Sequence, residues 1–272
     1  MKRLANVLET CSSSELRSLL QAAGRAALIA GKIVRELYEK PHTITMKGDI
    51  DLVTEADIAS ETAIVASLNE NAPGIEIMAE ESYDGQADTR KGKLWVIDPL
   101  DGTTNFAHGV PIFAVSIGLL ENGQPMLGII YCPMQDELFC ASLGGGAWLN
   151  GRPIKVTGTE FLLQSLVATG FPYDIHKHLS RIVSHIKTVL PKVRDIRRCG
   201  AAAVDLAYVS CGRLDAFWEL DLKPWDTAAG CLLVKEAGGR VSDFSGRNFS
   251  PFKTEILASN GRLHPHLLEL LS

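Results

Sequence analysis

The first apolar pattern along the chain has helical spacing. Ser12 and Glu15 predict a capping box at the start of a helix. The apolar residues that follow at this spacing are Leu16, Leu19, Leu20, Ala23, Ala27 and Leu28. The helix is predicted to run to about Glu39. A second helix is predicted from near Thr54 to the turn signal Pro73-Gly74.

Short apolar runs separated by turn residues fill the middle of the chain. The strands predicted there are residues 76–79, 94–98, 113–120, 126–132 and 137–142. The glycine run at residues 144–146 is interpreted as a hairpin connection, and Asn150-Gly151 predicts a tight turn. This part of the chain is therefore predicted to be mostly β and antiparallel.

Helix and strand patterns alternate in the last third of the chain. The predicted helices are residues 179–189, 201–211 and 227–237, and the predicted strands are 193–197, 214–220 and a short strand near Val241. Such alternation is typical of an α/β layer. The expectation is an α+β fold in which helices separate two sheets. We predict one domain over residues 1–272, with an α+β part to about residue 150 and an α/β part from about 151.

The composition is that of a soluble globular protein. The chain has 272 residues, of which 46% are hydrophobic and 22% charged. A formal net charge of −5 argues against broad binding to nucleic acid. The six cysteines form no CxxC pair, which favours a reducing compartment. Because no apolar stretch is long enough to span a bilayer and no secretory signal is recognised, we predict a cytoplasmic protein with no membrane partner.

The segment WVIDPLDGTT, residues 95–104, is the most informative for chemistry. An apolar run ends at Asp98, and Pro99, Asp101 and Gly102 predict a tight turn after a buried strand. Two carboxylates close together repel unless they share a proton or a cation, and such oxygen ligands suit Mg²⁺ or Mn²⁺. An ordinary turn rich in Asp, Pro and Gly is the alternative interpretation.

Other acidic residues recur beside predicted strand ends and helix starts. They are Asp49, Asp51 and Asp57, the pair Glu80 and Glu81, and Asp226. Strand ends are where folds of this kind gather ligands, so several carboxylates could meet at one point and require cations. The N–H groups of residues 102–104 could hold a phosphate. A Thr hydroxyl bonded to Asp57 could orient a water for metal-assisted hydrolysis of a phosphate monoester.

Two other phosphate-handling motifs were tested against the spacing. Haloacid-dehalogenase phosphatases use DxDGT with an aspartyl nucleophile, whereas this chain has DxxDGT, one residue longer. A P-loop needs GxxxxGK[ST], and the glycine run at residues 144–146 lacks the lysine. Neither motif fits.

The motifs resemble those of the inositol monophosphatase family of lithium-sensitive, magnesium-dependent phosphatases. The segment WVIDPLDGTTNFAHG is similar to the first family signature, and PWDTAAGCLLVKEAGG, residues 224–239, to the second. The EES triplet at residues 80–82 and DLVTEAD at residues 51–57 match in the same order. The resemblance implies a layered αβαβα fold, as in the related fructose bisphosphatases, and a homodimer.

The resemblance also implies a metal site. Glu80, Asp98 and the backbone carbonyl of Leu100 would bind one Mg²⁺, and Asp98, Asp101 and Asp226 a second. A third, weaker ion would lie near Glu80. Mn²⁺ is the alternative metal.

The remaining implied roles concern catalysis and substrate binding. Asp57 and Thr103 would activate the attacking water, with Glu80 as the third catalytic residue. Lys47 would help to hold the segment between the first two helices. The residues implied to contact phosphate are Gly102, Thr103 and Thr104. The residues implied to meet the substrate's hydroxyls are Asp101, Ala202, Glu219 and Asp226.

Substrate choice stays open at this point. The leading prediction is hydrolysis of myo-inositol 1-phosphate, and the alternatives are fructose 1,6-bisphosphate, histidinol phosphate and 3′-phosphoadenosine 5′-phosphate. A bisphosphate would need an extra basic site, for which Arg194, Arg197 and Arg198 are the clustered candidates. The chain has Ala201 where many members carry Thr or Ser. A regulatory binding protein is the alternative from another functional class.

Overall fold

The computed structural model describes residues 2–38, 40, 44–46, 52–85 and 91–272. Several predictions made above concern residues outside these ranges. They are the predicted helix end at Glu39 and the assignments to Lys47, Asp49 and Asp51.

Two long helices dominate the N-terminal part. The elements in chain order are α1 (Ala5–Thr10), α2 (Ser14–Leu37), β1 (Ile44–Met46), β2 (Leu52–Thr54) and α3 (Glu55–Asn71). The predicted cap at Ser12 is wrong by one residue, because the Ser13 hydroxyl accepts the hydrogen bond from Leu16 N. The predicted start near Thr54 is confirmed, since Thr54 caps α3. Helix α1 and the antiparallel pair β1–β2 were not predicted.

A seven-stranded sheet follows, with its strands in sequence order. Its elements are β3 (Glu76–Ala79), β4 (Lys93–Asp101), α4 (Thr103–Ala107), β5 (Ala114–Glu121), β6 (Gln124–Cys132), β7 (Glu137–Ser142), β8 (Gly146–Leu149) and β9 (Arg152–Pro153). The antiparallel prediction is confirmed except that β3 and β4 are parallel. Asn150 and Gly151 both have positive φ and join β8 to β9, as a two-residue turn of the primed type requires.

The rest of the described chain forms a mixed five-stranded sheet and its helices. Its elements are β10 (Leu166–Thr169), α5 (Ile175–Val189), β11 (Asp195–Arg197), α6 (Ala202–Ser210), β12 (Ala216–Leu220), α7 (Pro224–Glu236), β13 (Arg240–Ser242), β14 (Glu255–Ser259) and α8 (His264–Leu271). The strand order is β11-β10-β12-β14-β13, and β10 is parallel to both neighbours. The predicted helix start at residue 227 is wrong, because α7 begins at Pro224 and contains Asp226 in its first turn.

The packing confirms the αβαβα layers. Trp95 faces a core shared with α1, α2 and α3, while Phe139, on the other face of the large sheet, packs towards α6 and α7. Phe217 packs against α6 and α7 from the small sheet, and Trp218, on the opposite face, packs against α5 and α8. In the part of the chain that the structure describes, no helix has the length and apolarity needed to cross a membrane.

Candidate active site

A bulge near the end of β4 brings Asp98 and Asp101 to the same side of the large sheet. Asp98 is paired with Ser116 of β5, and Asp101 with Ala114, so three steps on β4 match two on β5. On a regular strand, residues three apart face opposite sides of the sheet. Because the bulge adds one residue to β4, Asp98 and Asp101 face the same side. The predicted tight turn after Asp98 is therefore wrong: the strand continues through Pro99 as a bulge and ends at Asp101, before Gly102 at φ 95°.

Asp226 joins this pair from the first turn of α7. One oxygen of each of Asp98, Asp101 and Asp226 lies within 4.8 Å of the others. Asp98 and Asp101 are buried, at 2% and 7% exposure, and Asp226 is half-buried. The Asp226 carboxylate also accepts a hydrogen bond from Lys223 N at 2.7 Å, which fixes it at the helix start.

Burial and mutual repulsion make the charged forms of these carboxyls costly. Burial raises the pKa of Asp98 well above its usual range, and the charges of Glu80, Asp101 and Asp226 raise it further. Burial raises the pKa of Asp101 to about 7, although backbone N–H groups at the start of α6 oppose the shift. Those N–H groups belong to Ala202 and Ala203, at 3.1 and 2.8 Å from the Asp101 carboxylate oxygens.

The donor set fits a hard divalent cation. Three close carboxylates in a buried site are stable as anions only when a cation offsets their repulsion, and Mg²⁺ and Mn²⁺ prefer oxygen ligands. Glu80 and the Leu100 carbonyl, the other predicted ligands, line the same cleft. Glu80 follows β3, and its N–H donates to Ile97 O of β4 at 3.1 Å, which places it beside Asp98.

A threonine–aspartate pair lies beside the acidic cluster that Asp98, Asp101 and Asp226 form. The Thr103 hydroxyl is 2.9 Å from Asp57 Oδ1 and 3.0 Å from Leu100 O, and its single proton can go to either oxygen. Asp57 Oδ2 accepts from Thr54 N at 2.8 Å and from the Thr54 hydroxyl at 2.6 Å. Asp57 is 1% exposed, and burial raises its pKa. The capping of α3 therefore holds the carboxylate that Thr103 contacts.

A single cleft brings most predicted residues together. Those that line it are Glu80, Asp98, Leu100, Asp101, Gly102, Thr103, Thr104, Ala202, Glu219 and Asp226. Asp57 does not line the cleft and lies behind Thr103. The N–H of Ala202 is engaged by Asp101, so its predicted contact with substrate has to use another part of the residue.

Asp205 and Gly170 line the cleft but were not predicted as site residues, and Arg198 was predicted only as part of a basic site for a second phosphate. Asp205 of α6 is 1% exposed, and burial raises its pKa to about 8. Arg198 lies 5.5 Å from the centre of the Phe171 ring and also lines the cleft. Gly170 follows β10 and lies against Glu219. These residues carry no recognisable motif, and only the packing of the small sheet brings them to the cleft.

Fold and site together define a metal-dependent phosphatase: a buried acidic cluster and a threonine–aspartate pair share one cleft. The model of the inositol monophosphatase family matches residues 15–272, and the chain belongs to this family.

Known proteins are similar to this chain over nearly its whole length. An inositol-1-monophosphatase of Synechocystis sp. is 44% identical over 263 residues, covering 96% of this chain and 91% of that protein. The Nus factor SuhB of Escherichia coli K12 is 41% identical over 250 residues, covering 91% of this chain and 93% of that protein. The structure of an inositol monophosphatase from Anabaena has a TM-score of 0.85 at 40% identity, with 95% and 96% of the two chains covered.

Proposed function

We propose that the protein hydrolyses myo-inositol 1-phosphate to inositol and phosphate with Mg²⁺. The observation that carries this proposal is the arrangement of one cleft. The acidic cluster and the Thr103–Asp57 pair lie together, and the Glu219 carboxyl lines the same cleft in a position to accept hydrogen bonds from a polyol.

The metal ligands of this proposal are Glu80, Asp98, the Leu100 carbonyl, Asp101 and Asp226, for two or three ions. Bound Mg²⁺, or Mn²⁺ in its place, would lower the pKa of a water and stabilise the leaving oxygen. The protein holds the ligands ready: Leu100 N donates to Asp98 Oδ1 at 2.9 Å, and the start of α6 holds Asp101.

The phosphate and the attacking water are placed by the chain around Thr103. Gly102, Thr103 and Thr104 follow the bulge and line the cleft, and their backbone N–H groups would donate to phosphate oxygens. When the Thr103 hydroxyl donates its proton to Asp57, its lone pairs can accept a hydrogen bond from a water. The Asp57 carboxylate, held by Thr54, is the base of this relay.

The basic cluster does not support a bisphosphate substrate. Arg197 is paired with Asp195 on the protein surface, and Arg194 is exposed outside the cleft. Arg198 is therefore the one member of the cluster that lines the cleft, which the buried residues Asp205 and Glu219 also line. A single guanidinium would give a second phosphate only one charged partner in the cleft. A monophosphate of a neutral polyol fits this wall better.

Metal binding should stabilise the fold increasingly as pH rises. The folded-state pKa of Asp101 is about 7, against an ordinary value of 3.8. Its contribution to stability in the metal-free protein is therefore present below pH ~4 and lost as pH rises through about 7. We expect Mg²⁺ to raise Tm by about 5 °C more at pH 8 than at pH 6, since 1 kcal/mol corresponds to about 2–4 °C in a chain of this size.

Thermal unfolding in EDTA and in Mg²⁺ at both pH values measures this increment. Buried groups away from the cluster cancel in the comparison, including His264, whose pKa burial lowers to about 4. A Mg²⁺ increment that is equal at both pH values would contradict the carboxyl cluster as the metal site.

Phosphate release from a panel of substrates tests the proposed function. The panel contains inositol 1-phosphate, fructose 1,6-bisphosphate, histidinol phosphate and 3′-phosphoadenosine 5′-phosphate, each with Mg²⁺ and with EDTA. We expect kcat/KM for inositol 1-phosphate to exceed the others by about tenfold or more, the contribution of one charge-assisted hydrogen bond. If another substrate of the panel is preferred, the protein is still a phosphatase but inositol 1-phosphate is not its substrate of choice.

Further parts of the proposal rest on the family resemblance. They are inhibition by Li⁺, assembly as a homodimer and folding of residues 1–272 as one domain. A cytoplasmic location without membrane or nucleic-acid partners is proposed from the hydropathy and net charge of the sequence.

A further inference from the structure

Glu219 is a buried acid whose hydrogen-bonding capacity is unused. It lies in β12 at 7% exposure and lines the cleft. Among the described residues, its carboxyl has no hydrogen-bond partner. A buried carboxyl without partners is costly, so its position has to be imposed by its surroundings.

Gly170 provides the space that the Glu219 carboxyl occupies. A Cβ atom built on Gly170 would overlap with all three atoms of that group, Cδ, Oε1 and Oε2. The strand register explains the overlap. Thr169, the last residue of β10, is paired with Trp218 of parallel β12, so Gly170 directly after β10 lies beside Glu219, the next residue of β12. Side chains at matching positions of adjacent strands project to the same face.

The strands cannot move apart easily at this point. The Thr169 hydroxyl donates to Trp218 O at 2.9 Å, and both residues are buried. Gly170 is also not among the glycines with positive φ, so its backbone conformation would accept alanine. Adding a methyl group at residue 170 should therefore leave the backbone in place and force the flexible Glu219 side chain to move.

We propose that Gly170 is a positioning residue for substrate specificity: the absence of a side chain there places the Glu219 carboxyl where it meets a hydroxyl of the polyol. The inference rests on the proposed function, in which Glu219 recognises that hydroxyl. Gly170 acts through Glu219 and has no role in the phosphate chemistry at the acidic cluster.

Gly170→Ala tests the inference with two substrates. Inositol 1-phosphate offers hydroxyls to Glu219, whereas p-nitrophenyl phosphate offers none. We expect KM for inositol 1-phosphate to rise about tenfold, the effect of losing one hydrogen bond, with less than about threefold change in kcat. The kinetic constants for p-nitrophenyl phosphate should stay within about twofold of the original.

Gly158→Ala is the matched control. Gly158 also lacks a positive φ, and nothing lies within 4 Å of a Cβ built there. This variant should match the original protein on both substrates.

A double variant separates positioning from general damage. Glu219→Asp shortens the side chain by one CH₂ group and withdraws the carboxyl from the space beside Gly170. KM of the double variant for inositol 1-phosphate should therefore exceed that of the single Glu219→Asp variant by less than about twofold. The inference would be overturned if the effects of the two single substitutions on KM multiplied fully in the double variant. It would also be overturned if Gly170→Ala left KM for inositol 1-phosphate unchanged, or if this variant lost equal activity on both substrates.

A crystal structure of Gly170→Ala gives a readout that needs no substrate. A displaced Glu219 carboxyl over an unchanged β10–β12 pair supports the positioning role, and an undisplaced carboxyl overturns it. If the original protein shows no preference for inositol 1-phosphate over p-nitrophenyl phosphate, the proposed function fails, and the crystal structure still decides whether Gly170 positions Glu219.

Discussion

Replacing Asp98 by asparagine is expected to lower kcat by about 10³-fold or more while the chain still folds. Metal stabilisation of the transition state contributes several kcal/mol, and each 1.36 kcal/mol is a factor of about ten in rate. Asp98 has a carboxylate oxygen within 4.8 Å of oxygens of both Asp101 and Asp226. An asparagine keeps the shape and can still accept the hydrogen bond from Leu100 N at 2.9 Å. Phosphate release at saturating Mg²⁺ measures the loss.

The same substitution should stabilise the metal-free protein. Burial and the neighbouring carboxylates raise the pKa of Asp98, so its ionised form opposes folding near neutral pH. We therefore expect Asp98→Asn to raise Tm in EDTA and to abolish the increase in Tm on adding Mg²⁺. Loss of activity with a higher metal-free Tm distinguishes a missing ligand from a damaged fold.

Asp205→Asn is the matched control for Asp98→Asn. Asp205 is another buried acid of the cleft, at 1% exposure, with a pKa that burial raises to about 8. It is outside the acidic cluster, so its asparagine variant should keep the Mg²⁺ increment in Tm. Near-normal turnover of Asp98→Asn, or an undiminished Mg²⁺ increment, would show that the metal ligands are wrongly assigned.

The strands that the sequence predicted well are those of the large sheet. They are apolar runs bounded by turn signals, and burial on both faces makes such runs conspicuous, as in β4, where all residues from Leu94 to Asp101 are buried. Strand β10 was missed because it has only four residues and lies close behind another apolar run, Phe161-Leu162-Leu163, so no pattern marks where the strand begins. Helix α1 was missed because six residues are too few to show a helical period.

The candidate site could be predicted where its residues share a motif or follow a predicted strand or helix boundary. Asp98, Asp101, Gly102 and Thr103 are close together in the chain, and Glu80 and Asp226 lie at predicted element ends. The resemblance added Glu219, and all of these residues line one cleft. The bulge that turns Asp101 towards Asp98 depends on pairing with β5, which no local pattern shows. The place of Gly170 depends likewise on the parallel register of β10 with β12.

Replacing Thr103 by valine is expected to lower kcat by about 10²–10⁴-fold, the range for losing a proton-transfer group. Valine keeps the branched shape of the buried side chain but removes the hydroxyl that lies between Asp57 and the cleft. The acidic cluster is untouched, so the increase in Tm on adding Mg²⁺ should remain. Thr103→Ser keeps the hydroxyl and should retain activity within about tenfold. Steady-state kinetics and thermal unfolding of both variants provide the measurement.

Thr54→Val decides how Thr103 acts. Thr54 and Thr103 each place a hydroxyl on the Asp57 carboxylate, at 2.6 and 2.9 Å, but only Thr103 lines the cleft. Either valine leaves the buried Asp57 with one donor fewer, at a cost of about 1–3 kcal/mol in stability. If Thr103 orients the attacking water, the two variants lose similar stability and only Thr103→Val loses most of kcat. Equal losses of kcat would mean instead that both threonines act by holding Asp57, and that the water is activated without the Thr103 hydroxyl.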